Sequence, residues 1–232
     1  MQILPNWLKN GYVRLIDPVA NWFVRNGVHP NTITAIGTGC TIIAAVIFAM
    51  GHIRTAGWFL GLTALFDVLD GTVARRSGKT SNFGAFLDST LDRLSDGALF
   101  VGLATFYALD PVHRSAWMML VCMFGLVGAM MTSYTRARAE ALGIDAKVGM
   151  VQRAERVVLL SAPQAFFGLA LGGWVLNTVI GIITVGAWIT VIQRVQFVYD
   201  ETSNRVDAEP VRLPVEPPSA LPHRREERSA LS

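Results

Sequence analysis

Long apolar stretches separated by short polar turns dominate the first 200 residues of the chain. A helix needs roughly 20 mostly apolar residues to cross the hydrocarbon core of a bilayer, and each stretch is close to that length or longer. The turns between them contain Gly, Pro, Asp or Asn, which end helices. We therefore expect an all-α integral membrane protein with six spans. The predicted spans cover about residues 33–50, 56–76, 82–109, 115–134, 153–171 and 174–192.

The segment before the first span has a different pattern. Residues 5–25 carry apolar side chains at helical spacing, but Lys9, Arg14 and Arg25 interrupt the apolar run. Trp and Tyr, which favour the headgroup region, lie among them. We expect an amphipathic helix in the membrane interface, and packing of this helix on its own membrane domain is a compatible alternative. Pro30 suits the start of the first span, with Asn31 or Thr32 as its cap.

Composition supports a membrane protein rather than a soluble domain. The chain is 52% hydrophobic and 16% charged, and its mean hydropathy is +0.41. After about residue 200, Pro, Glu and Arg replace the large apolar residues, which is typical of disorder. We therefore predict an interfacial helix with its connecting loop at 1–30, a six-helix transmembrane catalytic domain at 31–199, and a disordered cytoplasmic tail at 200–232.

The distribution of basic residues predicts the orientation. If both termini are cytoplasmic, nine basic residues face the cytoplasm and only Arg54 and Arg114 face outward. This asymmetry follows the positive-inside rule and predicts a multi-pass protein of the cytoplasmic membrane. The net charge of +3 is small, and we expect no nucleic-acid partner. The nine inside residues are Arg75, Arg76, Lys79, Arg136, Arg138, Lys147, Arg153, Arg156 and Arg194.

Four aspartates interrupt the second and third predicted spans. Asp67 and Asp70 are three residues apart, and Asp88 and Asp92 are four apart, so each pair shares a helix face. A charge in hydrocarbon costs about 3 kcal/mol on insertion scales, so the four carboxylates need a shared ligand. Oxygen ligands favour Mg²⁺, Mn²⁺ or Ca²⁺ over zinc. The short loop at 77–81 predicts that the two helices are antiparallel neighbours with both pairs at one depth, near the cytoplasmic face.

Other interpretations of the acidic residues remain open at this point. An ion transporter would use them as its pathway, but transporters tend to place such sites at the midplane and in both halves of a repeat. No repeat is visible in this chain, and the carboxylates lie in one half only. Gly71 and Gly84 lie beside the carboxylates, and either a ligand or a partner helix could require their small size.

A second polar cluster is expected at the same face. Ser133 and Arg136 end the fourth predicted span, Arg153 and Arg156 begin the fifth, and Arg194 ends the sixth. Several guanidinium groups around one cavity suit a phosphate, which each can bind with two parallel hydrogen bonds. Positive-inside topology alone would account for part of the cluster.

The aspartates belong to a pattern that resembles the signature of the CDP-alcohol phosphotransferase family. All eight positions are filled, and the resemblance extends over about the first 200 residues. It implies transfer of a phosphatidyl group from CDP-diacylglycerol to an alcohol with release of CMP, in a homodimer in the lipid bilayer. A scaffold that has lost activity is disfavoured, because no signature position is missing. The eight positions are Asp67, Asp70, Gly71, Ala74, Arg75, Gly84, Asp88 and Asp92.

The resemblance also implies residue roles. The four aspartates Asp67, Asp70, Asp88 and Asp92 would hold two ions of Mg²⁺ or Mn²⁺, and Asp92 would also be the general base. The nucleotide site would be lined by Asn31, Thr34, Gly71, Ala74, Arg75 and Gly84.

The acceptor is predicted from two further segments, SYTRARAE and QRAER, which resemble those of phosphatidylinositol phosphate synthases. Inositol 1-phosphate is therefore the expected acceptor, and glycerol 3-phosphate is the alternative. The resemblance to these synthases leads us to expect Lys at position 136, but the chain has Arg there. The implied acceptor pocket consists of Ser133, Arg136, Arg153, Arg156 and Arg194.

Overall fold

The structure is a computed structural model that describes residues 17–150 and 153–203. These residues form helices and their connections, without a strand, which confirms the all-α class. The predictions for residues 1–16 and for most of the tail lie outside the described residues. The helices are α1 (17–25), α2 (Pro30–Ala49), α3 (Ile53–Ser77), α4 (Asn82–Leu109), α5 (Ala116–Ala141), α6 (Arg153–Phe167) and α7 (Trp174–Ser203), with a 3₁₀ turn at Ala170–Gly173.

Helices α2 to α7 form a closed ring in which each helix packs against two others. The order around the ring is α2, α4, α5, α7, α6 and α3. Consecutive helices run in opposite directions, so the start of α2 and the ends of α3, α5 and α7 lie at one end of the ring. The starts of α4 and α6 lie there too. This end carries most of the basic residues and all of the predicted site residues.

Small residues allow the helices of the ring to approach closely. A Cβ at Gly102 of α4 would clash with the backbone carbonyl of Ala45 in α2. A Cβ at Gly57 of α3 would lie 2.5 Å from the backbone nitrogen of Ala165 in α6. Close contacts of this kind are typical of membrane helices, whose association depends on van der Waals packing rather than on the hydrophobic effect. The apolar core around Phe48 and Phe106 is fully buried in the half of the ring away from the basic end.

Four segments are long and apolar enough to cross a membrane: α2, α3, α5 and residues Ala170–Ser203. Helix α4 carries several charged residues in its first half, and α6 has only 15 residues. Six spans therefore remain a prediction. The structure does place all six helices in one ring, in which α4 lies between α2 and α5, and α6 lies between α3 and α7.

The helix ends differ from expectation at two places. His29 caps α2, because its Nδ1 accepts a hydrogen bond from the backbone N–H of Asn31 at 3.3 Å, and Pro30 is the first helical residue. The prediction of Asn31 or Thr32 as the cap was therefore wrong. Helix α7 continues to Ser203, four residues into the range predicted as the tail.

Helix α1 packs against the ring through its buried Ala20, which belongs to a small apolar cluster with Ile33 of α2 and Val73 of α3. Arg76 at the end of α3 pairs with Asp17. These contacts fit the alternative that this segment packs on its own membrane domain. Its position relative to a bilayer stays a prediction.

Candidate active site

The four signature aspartates lie on α3 and α4, and these two helices are not among the closely packed helix pairs of the described residues. Each packs on α2 instead. The expectation that the short loop makes them direct neighbours was therefore wrong. Two cavities lie beside these residues. One is lined by α2, α3, α4 and the loop between α3 and α4, and the other by α4, α5, α6 and α7.

The first, which we call the glycine cavity, has a volume of about 190 Å³ and opens beside the loop between α3 and α4. Of the six residues predicted for the nucleotide site, five line it, and Arg75 does not. Arg75 is exposed and donates a hydrogen bond to Thr72 at 3.4 Å. The lining residues are Pro30, Asn31, Thr34, Asp70, Gly71, Ala74, Lys79, Thr80, Ser81, Gly84, Ala85 and Asp88.

The two signature glycines border this cavity rather than a helix interface. A Cβ at Gly84 would lie 3.1 Å from Oγ of Ser81 and 3.3 Å from Oδ1 of Asn31. A Cβ at Gly71 would lie 3.3 Å from the guanidinium of Arg75. In both cases the neighbours are polar side chains, whereas at Gly57 and Gly102 they are helix backbone. The geometry thus favours room for a ligand over helix packing.

The second, which we call the arginine cavity, is larger, at about 650 Å³. All five residues predicted for the acceptor pocket line it, together with three aspartates. Asp88 lines both cavities, so its carboxylate stands at their boundary. The polar lining residues are Asp88, Ser89, Asp92, Arg93, Asp96, Thr132, Ser133, Arg136, Glu140, Arg153, Glu155, Arg156 and Arg194.

Arg156 forms a buried ion pair with Asp96 beneath the arginine cavity. Each residue is only 5% exposed, and Nη2 of Arg156 donates to the Asp96 carboxylate. The Nε and Nη1 atoms of Arg156 are buried and find no acceptor among the described residues. A buried donor without an acceptor costs roughly 1–3 kcal/mol, more when charged, and a bound acceptor group would relieve this penalty.

Arg194 lines the same cavity but is partly used by the fold. It is 3% exposed, and its guanidinium donates to the backbone carbonyl of Thr132 and, at 2.9 Å through Nε, to that of Val148. It thereby fixes the connection between α5 and α6 to α7. Arg136 is more exposed and pairs with Glu140 at 2.8 Å.

Arg153 reaches from the start of α6 into the space between α3 and α4. It donates to Asp67 through Nη1, and its Nη2 lies 3.0 Å from Asp92. Asp67 lines neither the glycine cavity nor the arginine cavity, and Arg153 connects it to the arginine cavity. One guanidinium thus links the two site helices.

The carboxylates suit hard divalent cations by their chemistry. Asp70 lies within electrostatic range of both Asp67 and Asp88, and Asp92 within range of Asp88 and Asp67, so the four converge. All are oxygen ligands, as Mg²⁺ and Mn²⁺ prefer. No three acidic, His or Cys side chains of the described residues form a closed cluster. Arg153 pairs with two of the carboxylates, and Thr34 donates a hydrogen bond to Asp70 at 2.7 Å. By their chemistry the four carboxylates fit the ions.

The site includes residues that the sequence analysis did not name. Asp96 lies one helical turn beyond Asp92 and pairs with Arg156, and the i, i+4 spacing from Asp92 was the available signal. Ser81 caps α4 by accepting a hydrogen bond from the N–H of Gly84 at 3.0 Å, and Lys79 lines the glycine cavity. A loop Ser three residues before Gly84 was the available signal for the cap.

Comparison with known proteins agrees with this geometry. A model of the CDP-alcohol phosphatidyltransferase family matches residues 27–193. The chain belongs to this family. The match begins just before α2 and ends within α7, so it covers the glycine cavity and, except for Arg194, the arginine cavity.

Similar proteins in the CDP-alcohol phosphatidyltransferase family include a phosphatidylinositol phosphate synthase from Mycobacteroides abscessus, 35% identical over 188 residues, which are 81% of this chain and 84% of that protein. A crystal structure of Mycobacterium tuberculosis phosphatidylinositol phosphate synthase with CDP-DAG bound has a TM-score of 0.73 at 33% identity, covering 80% of this chain and 94% of that one. The same enzyme with manganese and citrate has a TM-score of 0.72 at 32% identity, covering 79% and 88%.

Family membership makes this chain an enzyme, a transferase of phospholipid biosynthesis, and a membrane protein with membrane-type helices. The family is metal-dependent. The ion-transporter alternative is thereby excluded as the explanation of the acidic residues.

Proposed function

We propose that this protein transfers the phosphatidyl group of CDP-diacylglycerol to inositol 1-phosphate and releases CMP. The observation that carries the proposal is the pair of adjoining cavities with Asp88 at their boundary. One cavity has glycines and carboxylates, as a diphosphate with bound cations requires. The other has arginines, as a phosphorylated acceptor requires. The relatives named for phosphatidylinositol phosphate synthesis and the CDP-DAG complex support both substrates.

Asp67, Asp70, Asp88 and Asp92 would hold two divalent cations, Mg²⁺ or Mn²⁺. Bound there, such ions offset the charge of the diphosphate and of the leaving CMP. The manganese complex of the similar enzyme supports this assignment. Asn31, Thr34, Gly71, Ala74 and Gly84 would line the nucleotide end, with Arg75 at its margin.

Asp92 would be the general base. It lines the arginine cavity on the side toward Asp88, where an acceptor hydroxyl has to approach the diphosphate. The hydroxyl oxygen forms a bond to the lipid-linked phosphorus, the bond from that phosphorus to the CMP oxygen breaks, and the proton passes to Asp92. Positioning by the arginines would bring the hydroxyl to the reacting phosphorus.

The acceptor phosphate would bind to Ser133, Arg136, Arg153, Arg156 and Arg194. Arg156 offers the most favourable contact, because it lines the cavity and its Nε and Nη1 have no acceptor among the described residues. An uncharged acceptor would leave these donors unsatisfied, which explains why inositol itself is not expected to replace inositol 1-phosphate.

The proposed setting is the cytoplasmic membrane, with residues 31–199 as a six-span catalytic domain and both termini and the site in the cytoplasm. The basic end of the ring supports this orientation. A homodimer follows from the family resemblance. Size-exclusion chromatography with light scattering tests the dimer, and cysteine accessibility in inverted vesicles tests the orientation.

An acceptor panel tests the proposed reaction. Purified protein in detergent, with CDP-diacylglycerol and Mg²⁺, is given inositol 1-phosphate, glycerol 3-phosphate, inositol or serine, and CMP release is measured. We expect rapid release with inositol 1-phosphate alone. Fast release with glycerol 3-phosphate would instead assign the product phosphatidylglycerol phosphate. The absence of release with every phosphorylated acceptor would contradict the proposal.

A further inference from the structure

The contacts of Arg153 suggest that it has a role beyond binding the acceptor phosphate. Its guanidinium lies among three carboxylates: it contacts Asp67 of α3, lies 3.0 Å from Asp92 of α4, and has its Nε 3.9 Å from Asp96. Its Nε is buried and has no hydrogen-bond partner among the described residues. Two of these carboxylates are the ones proposed to hold divalent cations. The positive charge of Arg153 therefore lies where the proposed divalent cations would bind.

Arg153 and the metal ions would compete for the same carboxylates, so they cannot both bind Asp67 and Asp92 strongly. Four carboxylates at close range repel one another, and a guanidinium between them relieves part of that repulsion. Two divalent cations would match the four negative charges completely. Asp67 and Asp92 would then attract Arg153 far less, and the ions would repel it.

The surroundings of Arg153 allow it to leave. It is the first described residue of α6, its side chain is 23% exposed, and it lines the arginine cavity. Arg156 stays one turn further on and keeps its pair with the buried Asp96. Departure of Arg153 therefore does not leave Asp96 without a partner.

We propose that Arg153 is an exchangeable counter-ion: it pairs with Asp67 and Asp92 in the metal-free site and turns into the arginine cavity when divalent cations bind there. The proposal rests on the proposed function, which supplies the metal site and the anionic acceptor. Its consequence is that metal and acceptor phosphate bind with positive coupling through one side chain. The metal-free enzyme holds the acceptor weakly, and the loaded enzyme holds it tightly.

Metal affinity tests the exchange without any reading of activity. Free Mn²⁺ is followed by electron paramagnetic resonance in titrations of the full chain in detergent. We expect Arg153→Gln to bind Mn²⁺ about tenfold more tightly than the wild type, because its competitor is gone. Arg153→Lys keeps the charge but cannot donate to two carboxylates from a planar fork, and we expect about threefold tighter binding.

Arg136→Gln is the matched control. It removes the same charge from the wall of the same cavity, but Arg136 pairs with Glu140 rather than with the signature aspartates. Its Mn²⁺ affinity should stay within about twofold of the wild type, because long-range electrostatics alone are weak at a half-exposed site. If Arg153→Gln fails to fold, Arg153→Lys, which keeps the positive charge, still tests the exchange.

Coupling is measured by calorimetry of inositol 1-phosphate binding with and without saturating Mn²⁺. In the wild type we expect Mn²⁺ to tighten binding at least about tenfold, and linkage requires inositol 1-phosphate to tighten Mn²⁺ binding by the same factor. In Arg153→Gln the factor should fall below about threefold.

The outcomes separate the two proposals. If the wild type binds no Mn²⁺, the proposed metal site fails. If it binds Mn²⁺ but both Arg153 variants bind Mn²⁺ no more tightly, the exchange is refuted while the metal site stands. Coupling that persists unchanged in Arg153→Gln would equally refute it.

Discussion

Replacing Arg156 by Lys isolates the two unpartnered donors of a residue that lines the arginine cavity. Lys keeps the positive charge that Asp96 needs, since both residues are 5% exposed and an unpaired buried charge would cost about 3–5 kcal/mol. It cannot present N–H groups where Nε and Nη1 of Arg156 stand. The variant therefore removes recognition of the acceptor while preserving the ion pair below it.

The magnitude follows from those two N–H groups. A hydrogen bond to a charged group contributes about 1.5–3 kcal/mol, and the Lys ammonium recovers part of the loss as a point charge. We expect a net loss of about 2–3 kcal/mol in acceptor binding, which corresponds to about a 30- to 150-fold fall in kcat/KM for inositol 1-phosphate.

The assay is the initial rate of CMP release, with each substrate varied at a saturating concentration of the other. For Arg156→Lys the apparent KM for inositol 1-phosphate should rise while that for CDP-diacylglycerol stays within about twofold, because the glycine cavity is not lined by Arg156. Arg138→Lys is the control, since Arg138 lies at the same end of α5 but lines neither cavity. Equal effects on both substrates would refute the assignment of this cavity to the acceptor.

Three further predictions concern the carboxylates and the glycine cavity. Asp92→Asn should abolish CMP release while donor binding is largely retained; an active variant would remove Asp92 as the base. Gly84→Ala should weaken CDP-diacylglycerol binding, because its Cβ would lie 3.1 Å from the Ser81 hydroxyl, whereas Gly97→Ala, with its nearest contact at 3.7 Å, should behave as the wild type. Chelation should abolish activity, and saturation with Mg²⁺ or Mn²⁺ at 100 times Kd should restore it and stabilise the fold by about 2.7 kcal/mol for each bound ion, measured as a higher Tm.

The sequence predicted the helices and the chemistry of the site well, for physical reasons. Hydrophobic length and flanking polar turns located α4 at Asn82–Leu109, the range expected. Helical spacing paired Asp67 with Asp70 and Asp88 with Asp92, because neighbours on a helix face are determined locally. The arginines were expected at the same end because basic residues favour one side of a membrane.

The arrangement across helices was not predictable in the same way. The ring order depends on which helix faces are complementary, and the close approach of Gly102 to Ala45 illustrates a contact that no local pattern encodes. The contacts of Arg153 with Asp67 and of Arg156 with Asp96 join residues 86 and 60 positions apart. The separation of α3 from α4 reverses the expectation from their short loop, because each packs on α2.

The contacts of Arg194 have a consequence for how the enzyme is made. The signature aspartates are complete once α4 has been synthesised, but Arg194 lies on α7, the last helix of the ring, and ties it to the carbonyl groups of Thr132 and Val148. The wall of the arginine cavity therefore closes only at the end of biogenesis. A nascent chain arrested before α7 would possess the acidic half of the site without its acceptor half, and could not begin lipid synthesis before its insertion is finished.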